Sequence, residues 1–187
     1  MDELLIKERL TGDDLLRMGE DATTGYELIE GELVEIPLLG FHQGQHLARI
    51  GFELKIWNRQ HQIGRVAGGK VGFYTRGDLY TVRAADAVYI SNERLKGGAS
   101  TEGVLPVPPD LVVEVICPGN TAEEIEVKTQ EWFAFAVRMV WLVYPKTKRV
   151  HVYTTPDRSI LLNADDTLEG GDGLPGFNVK VSAFFEG

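Results

Sequence analysis

One short run constrains this chain more than any other: Leu111-Val112-Val113-Glu114-Val115-Ile116, β-branched and apolar except for a single carboxylate. Such a run reads as a strand covered on both faces. Pro118-Gly119-Asn120 ends it, and Thr121-Ala122-Glu123-Glu124 carries the capping-box pattern of a helix running to about Val137. A second buried strand follows over residues 140–144. Strand, helix and strand in this order form a crossover unit, right-handed if the strands are parallel, with its helix on one face of a sheet.

The remaining segments supply the rest of that sheet. Thr11-Gly12-Asp13-Asp14 opens a short helix through Leu15, Leu16 and Met18. Alternation on both sides of Glu30-Gly31 predicts a β-hairpin over residues 26–36 with one wet face. Leu47, Ile50, Leu54 and Trp57 mark an amphipathic helix from Phe41 to about Gln62, stopped by Gly64. Strands are expected over 66–75 and 79–90, joined at Arg76-Gly77-Asp78, and 91–109 reads as a loop too polar for a core element. A hairpin through 145–148 leads into 150–153, 159–162 adds an outer strand, and 165–175 is a turn-rich acidic segment. The expectation is a single α/β domain over 1–187 with a mixed β-sheet flanked by helices. Residues 1–24 form an N-terminal arm with its helix, and 165–187 a C-terminal extension.

Two features break the apolar pattern in a way that points to chemistry. Asp86 lies inside Ala84-Ala85-Asp86-Ala87-Val88-Tyr89-Ile90, turned by alternation to the side of Val88 and Ile90, and Glu114 interrupts the buried run. A buried carboxylate is costly unless it is neutralised or meets a cation. Two of them on central strands can share one divalent ion, and Mg²⁺ accepts two carboxylates and a backbone carbonyl while keeping several waters. Lys128, one turn after Ile125 and one turn before Trp132, borders the apolar face of the predicted helix. Its amine can orient or deprotonate an attacking water, or stabilise charge on a phosphate. Structural readings stand beside these: Asp86 bonded to a neighbouring backbone N–H, and Lys128 as the surface partner of Glu124.

Other candidates are weaker. His42 and His46 have the i, i+4 spacing of a zinc pair but no third ligand nearby, which favours a helix-start role. Cys117 reads as a small buried apolar residue rather than a nucleophile. Gly68-Gly69-Lys70 lacks the spacing of a phosphate loop. With 19 Lys and Arg against 28 Asp and Glu, the net charge of −9 excludes nucleic-acid binding through bulk positive charge but leaves room for a local basic groove. Arg49, Lys55 and Arg59, with Lys70 and Arg83, are candidates for such a rim, or else solvated surface. No apolar run is long enough to span a bilayer, residues 1–8 are acidic where a signal peptide is basic, and Cys117 is the single cysteine. No membrane association and a reducing, cytoplasmic location are therefore expected.

Taken together, Val82-Arg83-Ala84-Ala85-Asp86-Ala87-Val88, Pro108-Pro109-Asp110-Leu111-Val112-Val113-Glu114-Val115-Ile116-Cys117-Pro118, Lys128 and Trp141-Leu142-Val143-Tyr144-Pro145 resemble the Uma-two family of restriction endonucleases, within the PD-(D/E)XK nuclease superfamily. The hairpin 26–35 and Leu174-Pro175-Gly176-Phe177 fit the same pattern. The resemblance implies a restriction-endonuclease-like core and a Mg²⁺-dependent endonuclease acting on DNA, with Mn²⁺ as a substitute. Asp86 and Glu114 would be catalytic and metal-binding, the Val115 carbonyl a third metal oxygen, and Lys128 the catalytic lysine moved to the helix. Glu27 and His42 match accessory positions. Ala85 stands where the family has proline, Ile116 where the superfamily lysine falls, Cys117 for a serine and Tyr144 for an aspartate. A homodimer is expected from the need to cut two strands. The alternatives are a catalytically inactive nuclease-fold module for binding or assembly, and a hydrolase of another phosphodiester.

Overall fold

All five residues of β5 (Leu111–Val115) are buried, as an apolar run of that kind requires. The computed structural model describes residues 9–19, 25–37, 40–98 and 101–186. Residues 1–8 and 20–24 of the expected arm, and the acidic start read there, lie outside the described residues. In chain order the elements are α1 (Gly12–Arg17), β1 (Tyr26–Ile29), β2 (Glu32–Glu35), α2 (Phe41–His61), β3 (Gly64–Tyr74), β4 (Val82–Ser91) and α3 (Asn92–Leu95). After β5 come α4 (Ala122–Ala134), β6 (Met139–Tyr144), β7 (Arg149–Thr155), β8 (Arg158–Leu162), β9 (Thr167–Glu169), β10 (Asn178–Lys180) and a 3-10 helix (Val181–Phe184).

The main sheet runs β2-β1-β4-β5-β6-β7-β8, with β3 on β4. Only β5 and β6 are parallel, joined by α4 as the crossover predicts; the other pairs are antiparallel, so the sheet is mixed. Alternation along the central strands divides the core between the two faces. Val113, Val115, Trp141 and Val143 pack with Ile50, Leu54 and Trp57 of α2. Val112, Val140 and Leu142 pack with Trp132 of α4.

Local sequence explains the helix starts. Thr11 with Asp14, and Thr121 with Glu124, close reciprocal capping boxes at α1 and α4. Gly64 does not stop α2 as expected. Gln62 closes the helix in the left-handed region (φ 53°), and Gly64 opens β3, where a Cβ would stand 2.4 Å from the Tyr89 ring and the Ile90 carbonyl. The hairpin also departs from its simple alternation, since Glu27 and Leu28 of β1 are both buried. Residues 91–109 contribute α3 and the buried Leu105, which bridges Phe73, so that stretch is not wholly outside the core.

The C-terminal segment is the largest correction. Leu168, Leu174, Phe177, Val181 and Phe184 are all buried in the α2-side core, and Trp57 Nε1 donates to the Pro175 carbonyl at 2.9 Å. What reads as an acidic extension is a cover for the sheet, because its few apolar residues fall among turns without a recognisable period. No helix among the described residues is long and apolar enough to cross a membrane. Truncating the fully buried Phe184 to alanine is expected to cost about 3–5 kcal/mol in urea unfolding; an unchanged midpoint would show that this cover is dispensable.

Candidate active site

The site begins with a strand that runs short of partners. One edge of β4 is occupied by β3 along most of its length. The other is shared: β1 meets it at Val82, and β5 meets it at Ala87, Val88 and Tyr89. Between these contacts β1 and β5 diverge, and side chains replace the missing ladder. The Ala84 N–H donates to Glu27 Oε1 at 3.0 Å, and the Ala84 carbonyl accepts from Lys128 Nζ at 2.8 Å. The Val115 N–H, just past the last β4–β5 pair, donates to Asp86 Oδ2 at 2.7 Å. Buried backbone groups are satisfied here by charged side chains, which fixes those side chains in turn.

Asp86 has a second partner that arrives by a bulge. The β3–β4 register shifts between Gly68 and Val71, and both Gly69 (φ 92°) and Lys70 (φ 66°) adopt left-handed backbone. A bulge turns one side chain out of the strand's alternation. Here it aims Lys70 Nζ at Asp86 Oδ1, 2.8 Å away. The contact is an ion pair without hydrogen-bond alignment, and Oδ1 is a buried oxygen with no hydrogen bond.

Glu114 accepts from Trp132 Nε1 at 3.0 Å, and Lys128 Nζ lies 3.0 Å from the same oxygen. Burial pushes its carboxyl up to about 7; Asp86 and Glu27 push the same way, while Lys128 and Lys70 oppose them. Lys128 also lies 2.9 Å from Glu27 Oε1. Burial works against its charge, but Glu114 and Glu27 outweigh burial and raise its pKa. Glu27 is held below the ordinary carboxyl range, burial being overcome by Lys128 and Arg83. The ion pairs continue outward, from Glu27 to Arg83 at 2.8 Å, then to Glu131, Arg76 and Glu30.

These groups line a cavity of about 540 Å³ between the hairpin, the end of β5 and the start of α4. It brings together five of the residues singled out in the sequence: Asp86, Glu114, Val115, Lys128 and Glu27. His42 is not among its lining residues; its exposed ring lies edge-on to Phe41. His46 is tied to the Phe184 carbonyl at 2.9 Å, which fits a structural role for that histidine. Cys117 is half-buried at the cavity, where its thiol donates to the Val115 carbonyl at 3.6 Å. Burial and the nearby Asp86 and Glu114 carboxylates raise its pKa.

The basic residues do not gather into a rim, and solvated surface is the reading that fits those on α2. Arg49, Lys55 and Arg59 belong to α2, which packs on the opposite face of the sheet from α4 and the cavity. Lys70 and Arg83 are tied up in ion pairs. Sequence reasoning passed over Lys70 as a ligand of Asp86, and Trp132 as the donor to Glu114. The paired glycines inside a strand were the available sign of the bulge.

No group of three His, Cys, Asp or Glu side chains among the described residues could hold a metal ion. A cation would therefore rest on the two carboxylates, a backbone carbonyl and water, the donor set of Mg²⁺ rather than zinc. The buried Asp86 oxygen without a hydrogen bond, already facing a positive charge, fits such an ion.

The description "Putative restriction endonuclease" belongs to the Uma2 family, whose model matches residues 13–182. A crystal structure described as a putative nuclease belonging to DUF820, from Anabaena variabilis, superposes with a TM-score of 0.74 at 15% identity. The match covers 94% of this chain and 97% of that one, and shows a common fold. No curated protein matches the chain.

Raising the Glu114 pKa makes the folded metal-free protein bind that proton more tightly than the unfolded chain does. The resulting stabilisation is full below about 4.5, the ordinary carboxyl value, and is lost as pH rises through about 7. In chelator, native stability should therefore decline relative to Glu114→Gln across that interval. Parallel urea-unfolding curves would show that Glu114 titrates normally.

Proposed function

Because this chain belongs to the Uma2 family, we propose that the cavity at the β1–β4–β5 fork is the active centre of a Mg²⁺-dependent endonuclease hydrolysing DNA phosphodiester bonds. The observation that carries the reading is the convergence of two buried acids, Asp86 and Glu114, with Lys128 on one cavity. Their order along the chain is the one that the resemblance to PD-(D/E)XK nucleases implies, with a relocated lysine.

Asp86, Glu114 and the Val115 carbonyl would hold Mg²⁺, with Mn²⁺ as a substitute; the bound ion would acidify an attacking water and offset charge at phosphorus. The Cys117 thiol is a weak donor and yields the Val115 carbonyl to a cation at little cost. Trp132 orients the Glu114 carboxylate. Lys128, its pKa raised and its amine engaged by Ala84, Glu27 and Glu114, is an ammonium at neutral pH. Of the roles open to it, this favours stabilising phosphate charge over accepting a proton. Glu27 and Arg83 are positioning residues that keep Lys128 in place. Lys70 neutralises Asp86 in the metal-free protein and must yield that oxygen when a cation binds. For a duplex substrate two such sites are needed, most simply in a homodimer. A lone cysteine fits a reducing compartment such as the cytoplasm.

Nicking of supercoiled plasmid in Mg²⁺ or Mn²⁺ should fall by about 100-fold or more in Asp86→Ala and Glu114→Ala, the scale expected for lost charge stabilisation. Equal nicking by both variants would trace the activity to a contaminant. An inert native protein would favour the binding or assembly module, and hydrolysis confined to small phosphodiesters the other alternative. Lys70→Met should tighten Mn²⁺ binding by about tenfold in calorimetry, a difference of about 1.4 kcal/mol. Equal or weaker binding would remove Lys70 from competition with the ion.

A further inference from the structure

The cations around the cavity do not answer how a chain of net charge −9 approaches a polyanion. Lys70, Arg83, Lys128 and Arg76 are each held by carboxylates. A different cluster lies one strand away. The turn between β6 and β7 and the first residue of β7 contain Lys146, Lys148 and Arg149, all exposed and without a carboxylate partner among the described residues.

The register fixes where this cluster sits. Glu114 of β5 is level with Leu142 of β6, which is level with His151 of β7 and then with Leu161 of β8. Leu142 lines the cavity, so the row leads directly out of the candidate active site. Two residues along, on the same face, Tyr144 pairs with Arg149, and Tyr153 follows His151 in the other direction. The rings form a strip: Tyr144 and His151 are 5.0 Å apart between centroids, and His151 and Tyr153 are stacked at 6.5 Å and 18°. Tyr144, His151 and Tyr153 are half-buried, while Leu161 at the outer end is exposed. Burial and the neighbouring Arg149 charge keep His151 below its ordinary pKa, hence a neutral flat ring at neutral pH.

We propose that the Tyr144–His151–Tyr153 strip, with Lys146, Lys148 and Arg149 at its edge, is a docking surface for a single strand of nucleic acid whose backbone passes into the cavity. Unpaired bases stack on sheet aromatics while lysines and arginines follow the phosphates; bases within a duplex offer no free face to such a strip. Two observations select this occupant over an apolar partner: the patch is bordered by three cations with no carboxylate partner among the described residues of an acidic molecule, and its row of paired residues leads through Leu142 to the cavity with the Asp86 and Glu114 carboxylates. The surface rests on the nuclease reading for its purpose, but its binding does not depend on turnover. A single strand also requires one site, not two.

Fluorescence anisotropy of the full chain in chelator, with labelled oligothymidylate of about 20 nucleotides at about 50 mM salt, tests this without cleavage. Lys146→Glu/Lys148→Glu/Arg149→Glu should weaken binding by about tenfold or more and flatten its salt dependence. His151→Ala should weaken it by about fivefold with an unchanged melting curve, as loss of one stacking ring predicts. A control triple, Arg49→Glu/Lys55→Glu/Arg59→Glu on α2, should stay within about twofold. Oligouridylate run in parallel tells whether DNA or RNA is preferred. The proposal is overturned if the native chain binds neither oligonucleotide, if the turn triple binds as tightly as the native chain, or if a duplex of equal length binds as well as the single strand. Intact strand binding with no metal-dependent cleavage of either plasmid or the bound oligonucleotide would sink the nuclease reading and leave the docking surface standing.

Discussion

A strand that loses its neighbour in the middle of a sheet must find other partners for its backbone. β4 does so between Val82 and Ala87, where its pairing with β1 has stopped and its pairing with β5 has not started. Glu27 and Lys128 bond the two backbone groups of Ala84, and Asp86 reaches across to the Val115 N–H. The arrangement turns a defect of pairing into a polar cleft inside an otherwise apolar sheet. An apolar substitute at Glu27 or Lys128 would leave the Ala84 groups buried and unbonded, so fold and candidate chemistry depend on the same side chains.

Charge within this cleft is nearly closed upon itself. Lys128 sits between Glu27 and Glu114, Arg83 between Glu27 and Glu131, and Arg76 between Glu131 and Glu30. Alternation of sign lets Glu27, Glu114, Glu131, Arg83 and Lys128 leave water together, while Arg76 and Glu30 close the chain at the surface. The chain of pairs also ties the hairpin, β4 and α4 into one unit. Glu114 and Asp86 are the exceptions: one carboxyl is shifted toward neutrality, and the other has an oxygen with no hydrogen bond. Lys70 alone faces that Asp86 oxygen, and Lys128 and Trp132 share one oxygen of Glu114.

Much of this could be read from residue order. The apolar run 111–116, the Thr121–Glu124 cap and the run 140–144 stated the parallel crossover, because burial, capping and period agree there. Asp86 and Glu114 stood out as carboxylates in apolar strands, and Lys128 as a lysine at a helix-face border. Contacts set by tertiary geometry were harder. Whether Glu27 faced water depended on where β1 ended relative to β4, which no local pattern encodes. Lys70 depended on a two-residue excursion into left-handed backbone, and the side of the sheet taken by α2 decided the fate of Arg49, Lys55 and Arg59. The Leu168–Phe184 cover escaped because its buried residues are scattered among turns.

That cover has a consequence for how the molecule is made. Every group in the cleft, from Glu27 to Trp132, emerges from the ribosome before Leu168 does. Until residues 168–184 follow, Ile50, Leu54, Trp57 and Trp141 lack part of their packing, and a nascent chain carries all the charged groups of the cleft on an unfinished body. Such a half-built intermediate exposes apolar surface and is prone to stick or be degraded. The order of translation thus leaves the packing on the α2 face incomplete until residues 168–184 have been added.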